Sequence, residues 1–441
     1  MRSKLFIRTA VVILAAFATV AGVRLLSHRK SNAESVLITQ PLDTHASQSD
    51  RQIQIAEGRI KQLPGAADGY NLLAAAYMQK ARETGDFGFN ARAESALNQS
   101  LELAPDDREA RTMHASLMLT YHRFGEALEE ARRIQSTGPE SAQLYGVMTD
   151  ALVELGDYPD AVKVAQQMIN LRPDAAAYSR VSYLRALHGD LDGAIEAMRI
   201  AVKAASATNP ENAGWYRVHL GVELMNAGKR DEAEREFDIA LNIFPGYHLA
   251  LAAKGRARTE AGDFGHAVDF YRQAQERVPL PEYAIALGDI YTKLGRTGEA
   301  RQQYDLVEFI ERTMPGSATL YSRQLALFWA DHDMKLDDAL EIVQRERQTR
   351  EDVYTYDALA WCLYKKGRFG EARAAIDQAR RLGTRDARIF YHSGMIYDAL
   401  GDRPQASKYL KLAIKTDSAF DVLQAEIARQ KLGELGKQEQ S

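Results

Sequence analysis

Cysteine is almost missing: Cys362 is the single one in 441 residues, and that scarcity removes several protein classes at once. One thiol builds no intramolecular disulfide framework, no cysteine zinc site and no CxxC redox pair. No cysteine follows the hydrophobic start of the chain, which excludes an N-terminal lipid anchor. Positive charge is not in excess either, with a net charge of −4 and an isoelectric point near 6.2. A nucleic-acid binder usually carries a basic footprint, so that class is disfavoured. Signatures of catalysis are missing as well: no GxSxG elbow, Walker loop, helix-opening GxGxxG or HExxH. The ten histidines include no pair at i, i+4. "DHD" at 331–333 suggests a metal cluster, but three adjacent side chains rarely converge on one ion.

What is present begins with "MRSKLFIRTAVVILAAFATVAGVRLLSHRK". Arg2, Lys4 and Arg8 precede an uncharged apolar run of fifteen residues, Thr9 to Val23, in the order of an export signal. Cleavage near Ala18 or Ala21 would release the protein into the periplasm or medium. Retention would make residues 1–30 a single-pass anchor. The basic cluster Arg24, His28, Arg29 and Lys30 directly after the run favours the anchor, with the remainder of the chain outside the cytoplasm. Positive charge on both flanks leaves a cytoplasm-facing arrangement as the alternative. Residues 31–50 are polar and aperiodic, a linker.

The rest of the chain repeats. "GDYPDA" at 156 returns as "GDLDGA" at 189, "GKRDEA" at 228, "GDFGHA" at 262, "GRTGEA" at 295, "GRFGEA" at 367 and "GDRPQA" at 401. With weaker copies the series has ten alanines: Ala93, Ala127, Ala161, Ala194, Ala233, Ala267, Ala300, Ala339, Ala372 and Ala406. Their separations are 34, 34, 33, 39, 34, 33, 39, 33 and 34. A fixed period of this size means stacked supersecondary units, each too small to bury its apolar face alone. Apolar residues at helical spacing precede each glycine, the glycine ends that helix, and a second helix follows.

On this period and these motifs the chain resembles the tetratricopeptide repeat family, in a bacterial-type version with an N-terminal signal or anchor. The resemblance implies an all-α fold, a right-handed α-solenoid of about ten helix-turn-helix repeats over residues 66–418. A leading helix is expected at 51–65 and a capping helix with tail at 419–441. Longer junctions are expected near 202–214 and 308–319. Repeat one departs by inserting about two helical turns, "ARETGDFGFNARA", and repeat eight replaces the turn glycine with "DHDMKLDDA".

In this family the concave face of each first helix receives partners. That face carries Tyr354, Asp357, Trp361, Tyr364 and Lys365 in one repeat and Arg388, Tyr391, Met395 and Asp398 in the next. Arg323, Tyr183 and Trp215 complete the candidate set. Aromatics and arginine are enriched at binding hot spots, while the structural alternative is that these rings fill the superhelix interior. Cys362 falls at a position apolar in other repeats and reads as an inert buried thiol. The expected function is a non-enzymatic protein–protein interaction scaffold of the cell envelope, needing no cofactor or metal. It would bind a partner peptide or helix through the concave surface, touch the membrane through its N-terminus and bind no nucleic acid. No repeat pairs a lysine with an asparagine one turn later, so chaperone C-terminal tails are disfavoured partners. The alternatives are a membrane-bound adaptor facing the cytoplasm and an enzyme or metal protein with a site between repeats.

Overall fold

The computed structural model describes residues 47–313 and 322–438. The signal or anchor segment, most of the linker and part of the second long junction lie outside the described residues. Within them the chain forms twenty-two helices and no strand.

Local chemistry fixes where the helices stop and start. At Gly156 the backbone turns left-handed, with φ 77°. Its N–H donates to Val153 O at 3.1 Å, and that of Asp157 donates to Leu152 O at 2.9 Å, closing the first helix with a Schellman pattern. Asp157 then opens the second helix, its carboxylate accepting from the N–H of Asp160. Asp190, Asp263 and Asp402 cap in the same way, so "GD" is a stop signal followed by a start signal. Where the sequence reads "GR", Arg296 and Arg368 instead pair with glutamates three residues on, Glu299 and Glu371. Two repeats lack the glycine, and His122 (φ 58°) and Asp333 (φ 54°) take the left-handed position.

A leading helix, Gln48–Gln62, packs on repeat one, Ala67–Thr84 with Gly88–Leu103. Repeats two to four are Arg108–Thr120 with Phe124–Ser136, Ala142–Glu154 with Tyr158–Leu171, and Ala175–Leu187 with Leu191–Ala204. Repeats five to seven are Pro210–Asn226 with Arg230–Ile243, His248–Glu260 with Phe264–Arg277, and Pro281–Lys293 with Thr297–Thr313. Repeats eight to ten are Ser322–Asp331 with Leu336–Glu346, Val353–Lys365 with Phe369–Ala379, and Ala387–Ala399 with Arg403–Thr416. The capping helix is Gln424–Gln438. It begins later than the sequence pattern suggests, because Asp421 accepts from the N–H of Leu423 and Gln424 and sets the cap there. The first long junction places its extra residues in the first helix of repeat five, which runs to 17 residues. At the second, the second helix of repeat seven is the long one, also 17 residues.

Within a repeat the two helices touch through small residues. A Cβ at Gly221, Gly255, Gly288 or Gly394 would run into Phe237, Tyr271, Tyr304 or Leu410 on the partner helix.

Distant repeats also meet. The N–H of Glu351 donates to Glu154 O at 2.9 Å, and the N–H of Val353 donates to Tyr158 Oη at 2.9 Å. Thr384 Oγ1 donates to Leu187 O at 2.5 Å. The ends of the first helices of repeats three and four therefore dock on the loops that open repeats nine and ten. Farther along, Lys293 in repeat seven pairs with Glu426 of the capping helix at 2.5 Å. The array is folded back on itself.

Two turn glycines lie in this return contact. A Cβ on Gly156 would stand 2.5 Å from Glu351 O, and one on Gly189 2.6 Å from Gly383 O, whereas at Gly262 nothing lies within 4 Å. Gly156 and Gly262 share φ 77°, so alanine meets the same backbone strain at both, about 1 kcal/mol. Gly156→Ala should lose a further 1–3 kcal/mol or so by overpacking. Urea unfolding of the two variants measures the difference; equal losses would mean that repeats three and nine do not touch.

Candidate interaction surface

The inner face of repeats eight to ten is built around Trp361. Its indole stacks on Tyr364 (centroids 4.8 Å apart) and on His392 (4.2 Å), with Tyr391 tilted against it at 5.5 Å. Trp361 Nε1 donates to Asp331 Oδ1 at 2.7 Å. His392 Nδ1 lies 2.9 Å from Asp357 Oδ1, both side chains fully buried. Helical spacing places Asp357, Trp361, Tyr364 and Lys365 on one face, as the sequence indicates. Neighbouring repeats then close over most of it.

The closing piece is the chain's own segment 417–424, which is irregular up to Gln424. Phe420 is 1% exposed and lies against Tyr391 at 5.3 Å. Asp421 Oδ2 accepts from Arg388 Nη2 at 2.7 Å, and Gln424 donates to Asp331. Eight of the twelve candidate residues are buried within the chain: Trp361, Asp357, Tyr354, Arg388, Tyr391, Met395, Arg323 and Trp215. Tyr364, Lys365, Asp398 and Tyr183 keep part of their surface. Lys365 sits 2.7 Å from the exposed Asp333, and Asp398 lies 3.1 Å from Lys431 of the cap. Tyr183 and Trp215 stand apart from this group: Tyr183 packs on the main apolar cluster, and Trp215 stacks on His219 at 3.9 Å.

Charge is buried along the same inner side. Arg180 and Asp150 form a two-bond pair at 2.7 and 2.9 Å. Arg350, 1% exposed, binds Glu154, Glu346 and Asp352, and Arg323 Nη1 donates to Asp352 at 2.8 Å. Burial pushes the Asp352 carboxyl up, but the two guanidiniums outweigh it and hold it below the ordinary range. Glu282, in the first turn of repeat seven, has no such cation, and burial pushes its carboxyl up to about 7.

The "DHD" side chains diverge. Asp331 accepts from Trp361, His332 Nε2 lies 3.0 Å from Asp289, and Asp333 faces Lys365. Among the described residues no group of three or more His, Cys, Asp or Glu is placed to hold a metal ion. Cys362 is buried, and burial raises its thiol well above the usual range, the setting of an unreactive thiol. No described helix is long and apolar enough to cross a membrane. Sequence reading missed Arg350, Glu282 and the 417–424 segment as parts of the inner face. Arg350 and Asp421 stand in loops, where helical periodicity carries no signal.

Truncating a ring so enclosed should act on folding. Trp361→Ala is expected to lose about 3–5 kcal/mol of stability, read by thermal or urea unfolding; a loss under about 1 kcal/mol would mean the ring is not packed. Glu282 predicts a pH effect. The folded state keeps its proton up to about pH 7, whereas the unfolded chain releases it near 4.3. Stability should therefore fall as pH rises through that window and level off above it. Glu282→Gln cannot ionise. It should match the parent at pH 4.5 and exceed it by about 1–3 kcal/mol at pH 8, and equal curves at both pH values would refute the assignment.

The tetratricopeptide repeat profile matches residues 148–210, 219–280, 253–313 and 358–420, half of the chain. A TPR repeat-containing protein of Methanocaldococcus jannaschii is 26% identical over 150 residues, 34% of this chain. The match spans only 26% of that relative's length. Among solved structures, a tetratricopeptide repeat protein of Parabacteroides merdae aligns with 59% of this chain and 98% of its own, at 20% identity and TM-score 0.34. The APC/C Cut9–Hcn1 hetero-tetramer aligns with 88% of this chain and 93% of its own, at 14% identity and the same TM-score. Repeats of this kind generally mediate contact between proteins. With ten described helix pairs closed by left-handed turns at the matching period, the chain belongs to the tetratricopeptide repeat family.

Proposed function

We propose that the protein is a non-enzymatic interaction scaffold of the cell envelope, held at the membrane by residues 1–30, with the repeat array outside the cytoplasm. Its partner is a peptide or helix of another protein, received along the rim of the inner face of repeats eight to ten. The observation that carries this reading is the edge left open beside the sealed interior. There Tyr364, Lys365 and Asp398 keep accessible surface and present an aromatic face with charges of both signs. Trp361 lies directly behind them, stacked on Tyr364 at 4.8 Å and 5.4 Å from the Lys365 ammonium, while Lys431 holds Asp398 at 3.1 Å. Rigid aromatic and charged groups on a packed base are what a hot spot requires.

Affinity purification from native membranes, with the co-purifying chains identified, gives the partner. The double variant Tyr364→Ala, Lys365→Ala removes two half-buried groups from the outer side of Trp361 and should retain the helical spectrum of the array. Its capture of the partner should weaken by about 1–3 kcal/mol, roughly ten- to hundredfold. Unchanged capture would remove the rim from the binding site. A reporter active only outside the cytoplasm, fused after Ser441, tests sidedness: a silent reporter would favour a cytoplasm-facing adaptor.

A further inference from the structure

Between repeats six and seven and the segment that seals the inner face lies a cavity of about 70 Å³, where one water needs roughly 10–15 Å³. It has room for a group of several non-hydrogen atoms. Its walls are mostly apolar, with Tyr271, Tyr283, Ile290 and Phe420 among them. A pocket that is apolar with a few placed polar groups is the usual form of a small-ligand site.

The polar groups on the walls are unequally engaged. Three of the four acids have partners: Glu260 accepts from Arg256 Nε at 3.0 Å, Asp421 accepts from Arg388 at 2.7 Å, and Asp289 accepts from Tyr304 Oη at 2.9 Å and faces His332 at 3.0 Å. Two buried residues, Arg256 and Glu282, keep side-chain atoms with no hydrogen-bond partner. Arg256, 3% exposed, has no hydrogen bond at Nη1. Its Nη2 lies 3.0 Å from Glu260 without hydrogen-bond geometry. Glu282, 7% exposed, has no partner at Oε2. A buried donor left in this state destabilises the fold unless something completes it. The free edge of a guanidinium matches the two oxygens of a carboxylate.

We propose that this cavity binds a small organic acid with an apolar body, its carboxylate on Arg256 and its hydrocarbon part against Tyr271, Tyr283, Ile290 and Phe420. Below about pH 7 burial keeps the Glu282 carboxyl mainly protonated, so there it stands as a second donor to the ligand. The site is separate from the rim around Tyr364 and does not depend on the protein-binding reading.

Isothermal titration of the full chain at pH 6.5 with propionate and butyrate, and with propionamide and butyramide, tests the proposal. The acids should bind about tenfold or more tightly than their amides, since only they engage the guanidinium fork. Arg256→Lys keeps a charge but loses the fork and should weaken the acids by about tenfold. If that variant does not fold, the comparison of acid with amide on the unaltered chain still decides. No heat from either acid, or equal binding of acids and amides, overturns the proposal. So would a hexapeptide with a free C-terminal carboxylate that binds well above both acids, since it would assign the cavity to a protein tail.

Discussion

The guanidinium of Arg350 is the point on which the shape of the molecule turns. It is buried to 1% exposure between Glu154 of repeat three, Glu346 of repeat eight and Asp352 at the start of repeat nine. Repeat stacking alone brings only neighbours into contact. Arg350 and Glu154 are 196 positions apart, so their pairing is a tertiary closure laid over the one-dimensional array. Two charges taken out of water gain little net stability, but leaving either one unpaired there is destabilising by about 3–5 kcal/mol. The pair therefore specifies the closed arrangement more than it strengthens the fold. The backbone bond from Glu351 to Glu154 and the bare glycines at 156 and 189 allow the approach that the ions require.

Closure changes what the family's binding face is for. In an open superhelix the inner side of each first helix faces solvent and a ligand. Here Trp361, Tyr391 and Arg388 face Phe420, Asp421 and Gln424 of the same chain, directly or through Asp331. An aromatic that stacks on its own repeat neighbours is a scaffold residue, however closely its type matches a hot spot. On the proposed reading, contact with another protein moves outward to the half-buried Tyr364, Lys365 and Asp398. The cavity at Arg256 is a by-product of the same closure, since one of its walls comes from the returning segment 419–422.

The repeat architecture was legible because its signals are local and recur. Glycine after a periodic apolar helix, followed by aspartate at the next N-cap, is read from six residues at a time, and Gly156–Asp157 or Gly401–Asp402 fold as written. Cys362 as a buried core residue was legible for the same reason, by alignment with apolar positions in other repeats. The face shared by Trp361, Tyr364 and Lys365 was also readable, since helical spacing places it. Its burial was not. Whether a concave residue meets solvent or another repeat depends on the summed rotation of many stacked units, and no single repeat encodes that sum. Glu282 illustrates the limit. Its position in a first turn reads as a favourable helix-terminal acid, and only the closed structure places it among apolar walls.

Repeat one's insertion and the first 39-residue interval are coupled across the fold. Repeat one's insertion prolongs its first helix to Thr84, carrying Arg82 beyond where an ordinary repeat would turn. The first 39-residue interval supplies Asn209 and Glu211 at the start of repeat five. These two irregular stretches meet. Glu211 accepts from Gln79 at 3.3 Å, lies 3.4 Å from Arg82 and accepts from Tyr247 Oη at 3.0 Å, while Asn209 Nδ2 donates to Gln79 at 3.2 Å. Gly85, which ends the prolonged helix, packs directly on Val278 of repeat six. An insertion that only added slack would be tolerated on the surface as a loop. Arg82 and Glu211 are helical, buried and paired across the fold, and Asn209 caps the helix that carries Glu211. Each irregularity supplies the surface that the other needs, so losing the extra turn in repeat one would strand Glu211 as a buried carboxylate without its cation.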